Sequence, residues 1–194
     1  MRATTLLMLS IGIVGANSLV LSPIAGDVAQ SFTSTGAADV LTASAVYAAG
    51  TALSALTLAP HADRIGLRRA LVLALAVLTF GLIGSAVAPN LISLAAAQGI
   101  AGLAAGVALP ATYGLAAEVS PKGAESATLG KVLTGWTLSL VAGVTLSAML
   151  SAALHWRAVF GSLAVISVLI VLAIRHALPH SLTASNTARP PPIR

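Results

Sequence analysis

The segment ALVLALAVLTFGLIGSAVA, residues 70–88, runs for nineteen residues without a charged side chain. An α-helix of about twenty apolar residues is long enough to cross the roughly 30 Å hydrocarbon core of a bilayer. Five more charge-free stretches of similar length occur, at residues 4–24, 40–58, 91–115, 132–154 and 158–174. The sequence therefore predicts an all-α membrane protein, with six transmembrane helices in residues 1–178. The proline-rich segment 179–194 is expected to be a disordered cytoplasmic tail or a severed linker.

Composition supports this fold class over a soluble domain. Apolar residues make up 57% of the chain and charged residues 8%, whereas about a quarter of a soluble domain is charged. A water-soluble fold of 194 residues could not bury so much apolar surface, so the lipid bilayer is the expected environment. Cysteine is absent, which excludes disulfides and thiolate metal sites.

The basic residues predict the orientation in the membrane. Nine of the ten lysines and arginines lie before the first stretch, after the sixth, between the second and the third, or between the fourth and the fifth. If each stretch crosses the membrane, these segments all lie on one side of it, and Arg157 alone lies on the opposite side. Because cytoplasmic loops carry the excess of basic residues, both termini are expected in the cytoplasm. This distribution accounts for the net charge of +5 without a nucleic-acid partner.

The connection between the second and third stretches is the most specific segment. It reads APHADRIGLRRAL, residues 59–71, and is called the signature loop below. A short hairpin between two spans needs a tight turn, which Gly66 can supply. Asp63 can complement the positive end of a helix, and the arginines can bind carboxylates or the carbonyl ends of helices.

At these residues the chain resembles the major facilitator superfamily, whose loop has the pattern Gly-x-Leu-Ala-Asp-Arg-x-Gly-Arg-Arg/Lys. The residues that fall on the motif positions include Asp63, Arg64, Gly66 and Arg68. Three depart from it: Ala59, His61 and Leu67. The resemblance implies that this loop is a conformational latch between the two halves of a transporter.

A second segment resembles the sugar-efflux and drug:proton antiporter branch of that family. Residues 135–146 read GWTLSLVAGVTL, followed by HWRAVF at 155–160. The branch has Gly-x-x-Leu-Ala-x-x-x-Gly-Val-Pro-x-Gly and then Gly-Trp-Arg-x-x-Phe. Thr145 stands at the position of its proline and Ser147 at that of its last glycine.

The resemblance covers nearly the whole chain but only the amino-terminal half of the family's twelve-helix architecture. It implies a half-length secondary transporter of the bacterial inner membrane that exports a small solute, a sugar or a drug, by alternating access. A second six-helix half, either another copy or a separate chain, would complete the path. The alternative is a non-transporting fragment of such a carrier.

Small residues recur at helical spacing in two of the predicted spans. Gly135, Ser139, Gly143 and Ser147 lie four residues apart in the fifth, and Gly102 and Gly106 form a Gly-x-x-x-Gly pair in the fourth. Such stripes let helix backbones approach closely, so we expect helix packing surfaces here.

Polar side chains within the spans are candidates for a substrate cavity. They are Asn17, Tyr47, Gln98 and Trp136. Buried amides and phenols in lipid need hydrogen-bond partners, so helix-to-helix bonding is the other interpretation of the same residues.

No Asp, Glu, His, Lys or Arg side chain falls inside the six stretches, so proton coupling through this half alone is not expected. Family antiporters often carry an acid in the first span and an arginine early in the fourth, where this chain has Asn17 and Ala95. No paired carboxylates, Ser-His-Asp set, phosphate loop or metal cluster can be recognised, so we expect no enzyme activity, no cofactor and no metal.

Overall fold

The computed structural model describes residues 3–33 and 35–177, without the side chain of Asp63. Within those ranges the chain forms α-helices joined by short turns. Their bounds are α1 Ala3–Leu19, α2 Leu21–Gln30, α3 Ala37–Thr57, α4 Ala62–Ile65, α5 Leu67–Ala86, α6 Leu91–Glu118, α7 Glu125–Ala153 and α8 Trp156–Ala177, with a 3-10 turn at Ala59–His61. The predicted tail at 179–194 lies outside the described residues.

Five of these helices are long and apolar enough to cross a membrane, namely α3, α5, α6, α7 and α8. Helices α1 and α2 meet at a 48° bend, and taken as one bent segment they are also long and apolar enough to make a sixth span. The all-helical membrane fold predicted from the sequence is thus confirmed.

The bend between α1 and α2 follows from Pro23. Proline has no N–H to donate to the carbonyl four residues earlier, that of Leu19, and its ring crowds that carbonyl. Leu19 is the last residue of α1, and α2 continues to Gln30. The helical segment therefore extends past residue 24, where the predicted first span ended, and it includes Asp27.

Only Ala88 and Pro89 lie between Val87, the C-cap of α5, and Asn90, the N-cap of α6. Asn90 makes this short connection possible by capping α6. Its side-chain oxygen accepts a hydrogen bond from the Ser93 backbone N–H at 2.9 Å, and the Ser93 hydroxyl accepts one from the Asn90 N–H at 3.3 Å. This reciprocal pair satisfies two of the N–H groups that a helix start leaves without an intrahelical partner.

Glycines set the closest helix contacts. A Cβ on Gly102 of α6 would overlap the Tyr47 carbonyl oxygen on α3, and one on Gly81 of α5 would lie 2.8 Å from the Ala101 nitrogen on α6. A Cβ on Gly135 of α7 would likewise overlap the Met8 carbonyl oxygen on α1. Helix α6 thus packs tightly between α3 and α5, while α7 packs on α1.

Helices α5 and α8 are antiparallel and are linked by polar contacts at three levels. Near the start of α5, the Arg68 Nη2 donates to the Arg175 carbonyl in the last turn of α8, at 2.9 Å. In the middle, the Thr79 hydroxyl donates to the Ser167 hydroxyl at 2.8 Å. At the other end, the Arg157 Nη2 donates to the Ala88 carbonyl at 2.8 Å. At each end of this helix pair, an arginine thus donates to a backbone carbonyl that has no N–H partner within its own helix.

Candidate functional site

The signature loop forms a compact structure between α3 and α5. The 3-10 turn and α4 carry the chain across the end of the bundle, and Gly66 then reverses it into α5. Gly66 has a φ of 87°, a backbone conformation that residues with a Cβ rarely adopt. The next residue, Leu67, packs on α6, where its Cδ1 would lie 2.6 Å from a Cβ on Gly114.

The charged motif residues of this loop differ in their surroundings. Arg68 is buried, with 6% of its surface exposed, and it bonds to the Arg175 carbonyl at the end of α8. Its Nε is buried without a hydrogen-bond partner. Arg64 is exposed, and Asp63 lies in α4 with its side chain outside the described part of the structure. Arg68 therefore connects the loop to the end of α8, while the side chain of Arg64 is accessible to a partner.

Three of the four cavity candidates come together in the bundle. The Asn17 Nδ2 donates to the Gln98 Oε1 at 3.1 Å, and the Gln98 Nε2 donates to the Ser85 hydroxyl at 2.9 Å. The Tyr47 hydroxyl bonds to the Val14 carbonyl, one helical turn before Asn17, at 3.2 Å. This polar network, defined as Asn17, Tyr47, Ser85 and Gln98, joins four helices: α1, α3, α5 and α6.

The polar network is almost inaccessible from outside. Its four members expose between 0 and 4% of their surface. One buried acceptor, the Asn17 Oδ1, has no hydrogen-bond partner, and an unpaired acceptor at such a depth is costly. The arrangement combines helix-to-helix bonding with one free polar atom in the interior.

Trp136, the fourth candidate, lies apart from this network. Its indole packs over Gly15, where a Cβ would approach ring carbons at 3.2 and 3.3 Å. None of the four candidates lines the cavity between α1, α7 and α8 or the one beneath the signature loop. Their role in a solute cavity stays a prediction.

The predicted small-residue stripes face neighbouring helices. Gly106 approaches Ala55 and Ser54 of α3, where a Cβ would lie 2.8 and 2.9 Å from their atoms. Gly143 faces Ala16 of α1 at 3.2 Å, and Ser139 lies against Gly15 of the same helix. Ser147 is buried, with 3% exposed. Thr145, which stands where the efflux branch has proline, lies in the unbroken helix α7.

Sequence reasoning missed a cluster at the end of the bundle opposite the signature loop. Trp156 is buried, and its Nε1 donates to the Ser31 hydroxyl at 2.8 Å. Its ring makes edge contacts with Phe32 and Phe160, at centroid distances of 5.7 and 6.2 Å, and the Arg157 guanidinium lies 4.4 Å from its centroid. The available signal was the combination of Trp156 and Arg157 directly before a long apolar stretch.

Asp27 lies near that cluster, in α2. Its carboxylate accepts a hydrogen bond from the Ser151 hydroxyl near the end of α7. Asp27 is otherwise exposed. An ionisable group therefore occurs in the bent first span, although the apolar stretch 4–24 contains none.

Within the described residues there is no group of three or more His, Cys, Asp or Glu side chains that could hold a metal ion.

Comparison with known proteins gives one consistent result. The family model described as Major Facilitator Superfamily matches residues 6–193. An uncharacterized MFS-type transporter of Bacillus subtilis is 31% identical over 156 residues, which cover 79% of this chain and 38% of that protein. A probable sugar efflux transporter of Helicobacter pylori is 30% identical over 167 residues, covering 84% of this chain and 42% of that protein.

Solved structures agree on the fold. The xylose transporter XylE of E. coli, in a partially occluded inward-open conformation, superposes with a TM-score of 0.77 at 16% identity. The match covers 89% of this chain and 48% of the xylose transporter. The chain thus spans less than half the length of each of these three proteins.

Proposed function

Because this chain belongs to the major facilitator superfamily, we propose that it forms one six-helix half of a secondary transporter that exports a small solute, a sugar or a drug, by alternating access. The observation that carries the proposal is the signature loop on a fold that superposes with one half of a transporter. The similarity to a probable sugar efflux transporter supports a sugar as the first solute to test.

The second half is proposed to cover α3 and α7. Of the residues in the 18-residue apolar stretch of each helix, only 22% are buried in α3 and 17% in α7, against 50% in both α5 and α6. Large apolar side chains such as Leu56 on α3 and Val141 on α7 are 79% and 68% exposed. These two helices therefore have the most surface left for a partner, which we propose is a second copy or a separate six-helix half.

In this assembly the signature loop is the latch. The positive φ of Gly66 and the bond from Arg68 to the end of α8 hold the loop's carboxyl-terminal side. Exposed Arg64 is then presented to the opposite half, and Asp63, the residue before it in the sequence, is the proposed acid of the latch. Pairing between halves would stabilise one of the two conformations, so that loss of the pairing shifts their populations.

The polar network is the proposed solute contact of this half. Its unpaired Asn17 Oδ1 could accept a hydrogen bond from a hydroxyl group, and Gln98 lies beside it. A site that hydrogen-bonds a polar solute rejects analogues that lack the matching group. Trp136, across Gly15 from this region, completes the set of proposed cavity residues.

The test measures solute efflux from proteoliposomes loaded with a radiolabelled pentose or with ethidium. Asp63→Asn keeps the side-chain size and removes the charge, and is expected to lower the efflux rate severalfold without lowering the amount of inserted protein. Arg189→Gln, in the segment after the last helix, is the matched charge control and should leave efflux unchanged.

A chain that purifies as a monomer and moves no tested solute would overturn the carrier proposal and leave the non-transporting fragment as the function class. Transport that is unaffected by Asp63→Asn would retain the carrier but remove the latch from its mechanism.

Localisation follows from the same proposal. The chain has several helices long and apolar enough to span a membrane and belongs to a transporter family, so it is a multi-pass membrane protein. We propose the bacterial inner membrane, with both termini in the cytoplasm because nine of the ten basic residues share that side. Its activity is proposed to be transport without enzyme chemistry.

A further inference from the structure

Ser85 of α5 gives the polar network a fixed polarity. A hydroxyl group has one hydrogen to donate and two lone pairs that accept. The Ser85 hydroxyl donates its hydrogen to the Gly81 carbonyl, one helical turn earlier, at 2.9 Å. It therefore meets the Gln98 side chain as an acceptor, and the Gln98 Nε2 donates to it at 2.9 Å.

This polarity passes from Ser85 through Gln98 to Asn17, three residues that are called the amide relay below. An amide side chain has its donors on the nitrogen and its acceptor on the oxygen. Because the Gln98 nitrogen points to Ser85, the Gln98 Oε1 points away from it and accepts from the Asn17 Nδ2 at 3.1 Å. Asn17 is thereby turned so that its own Oδ1 is the last atom of the relay, and this oxygen is buried without a hydrogen-bond partner.

The two helices that carry Ser85 and Gln98 are held at a fixed separation. A Cβ on Gly81 of α5 would lie only 2.8 Å from the Ala101 nitrogen of α6, so the two backbones are in direct contact there. Gly81 lies one helical turn before Ser85, and Ala101 lies three residues after Gln98. Ser85 and Gln98 expose 0% and 1% of their surface, so solvent does not compete for the bond between them.

No hydroxyl of the polar network is left to donate to the Asn17 Oδ1. The other hydroxyl, that of Tyr47, donates its hydrogen to the Val14 carbonyl at 3.2 Å. A buried acceptor without a partner costs free energy, which is recovered when a solute brings an N–H or O–H group to it. A carboxylate or an ether oxygen at the same place brings only acceptors and leaves Asn17 unpaired.

We propose that Ser85 is a positioning residue that acts through Gln98 to make Asn17 a hydrogen-bond acceptor, and thereby selects solutes that present a hydroxyl or amine donor. The inference rests on the proposed function, in which alternating access brings the solute to the polar network. Ser85 does not itself contact the solute. Without its hydroxyl, the amides of Gln98 and Asn17 can both turn over, and the site then accepts donors and acceptors alike.

The first experiment needs no solute and follows the side-chain amides by heteronuclear NMR of the isotope-labelled chain in micelles. The sequence has three asparagines and two glutamines, so few signals have to be assigned. Ser85→Ala should shift the amide signals of Gln98, its direct partner, and also those of Asn17, which is two hydrogen bonds away.

Ser10→Ala is the matched control for this measurement. Ser10 is also fully buried, and its hydroxyl donates to the carbonyl of Leu6, four residues earlier, just as Ser85 donates to Gly81. It has no bond to the relay, so its loss should shift neither amide. A thermal melt verifies that both variants are folded.

The second experiment measures the efflux of D-xylose from proteoliposomes and compares it, as kcat/KM, with that of monofluorinated analogues in which fluorine replaces one hydroxyl. Fluorine has no hydrogen to donate. The wild type should prefer xylose over at least one analogue by about fivefold, the effect of one net hydrogen bond. Ser85→Ala should bring that ratio close to one, whereas Ser10→Ala should keep it. In a Gln98→Leu background, Ser85→Ala should change the ratio no further, because Ser85 acts through Gln98.

Three results would overturn the proposal. Unchanged Asn17 signals in Ser85→Ala would mean that no polarity passes through Gln98, whether or not the chain transports. An undiminished preference for xylose in Ser85→Ala would remove Ser85 from solute selection. A further loss of preference when Ser85→Ala is added to Gln98→Leu would mean that Ser85 acts by another route. A wild type that moves no pentose would instead count against the proposed function, and the amide signals would still decide the relay.

Discussion

Replacing Gly102 with alanine tests whether backbone contact between α3 and α6 holds the bundle together. The added Cβ would lie 2.9 Å from the Tyr47 carbonyl carbon and 3.0 Å from its Cα, and would also overlap the carbonyl oxygen. Carbon atoms prefer separations of about 3.5–4.0 Å, so the helices must move apart by roughly 0.6 Å or more. Overpacking of this kind costs about 1–3 kcal/mol.

Gly161→Ala is the matched control, because a Cβ there meets nothing within 4 Å. Alanine is favoured over glycine inside a helix by about 1 kcal/mol, and this gain applies to both variants. The difference between their unfolding free energies therefore isolates the overlap at Gly102 and should be about 1–3 kcal/mol.

The assay is reversible unfolding in mixed micelles with an increasing fraction of sodium dodecyl sulfate, followed by far-ultraviolet circular dichroism. Gly106→Ala should behave like Gly102→Ala, since it meets the same neighbouring helix. Equal stability of Gly102→Ala and Gly161→Ala would refute the argument, because the seam would then be loose enough to accept a methyl group.

The remaining predictions concern hydrogen bonds and topology. Gln98→Leu leaves the Asn17 amide without its partner and should destabilise the bundle by about 1–3 kcal/mol in the same unfolding assay; an unchanged midpoint would contradict the bond. Arg68→Gln removes a charged donor from a helix end and should cost about 1.5–3 kcal/mol, whereas Arg64→Gln, at an exposed position, should stay within about 0.5 kcal/mol. A cysteine at Thr35 should react with an impermeant thiol reagent in intact cells, and protection of that cysteine would reverse the proposed orientation.

Much of the fold can be predicted from the sequence because the bilayer imposes a length on every span. The charge-free stretches lie on the helices of the structure, and Asn90 marks the start of α6. The bend at the first span was missed, since the stretch 4–24 is continuous in hydropathy and only Pro23 interrupts its hydrogen bonding. A prediction from hydropathy also ends a span before the next charged residue. Helix α2 nevertheless continues through Asp27, because backbone hydrogen bonds do not depend on the charge of the side chain.

The candidate site was predictable in its residue types and not in its contacts. A stripe such as Gly102 and Gly106 shows that a helix has a close neighbour, but its spacing contains no information on which helix that is. The bond between Asn17 and Gln98 joins positions 81 residues apart, and so depends on the order in which the helices pack. Arg68 was expected to meet a carboxylate or a helix end; its partner at Arg175 depends on the antiparallel placement of α5 and α8.

The three-level linkage of α5 and α8 has a mechanical consequence. Sliding one helix past the other by a single turn, about 5.4 Å, would break the bonds of Arg68 and Arg157 at the same time, together with the contact between Thr79 and Ser167. Shear between these two helices is therefore opposed along their whole length, while rotation of the pair as one body breaks none of the three bonds. Any large movement of this half should accordingly carry α5 and α8 together, with its hinge outside that pair.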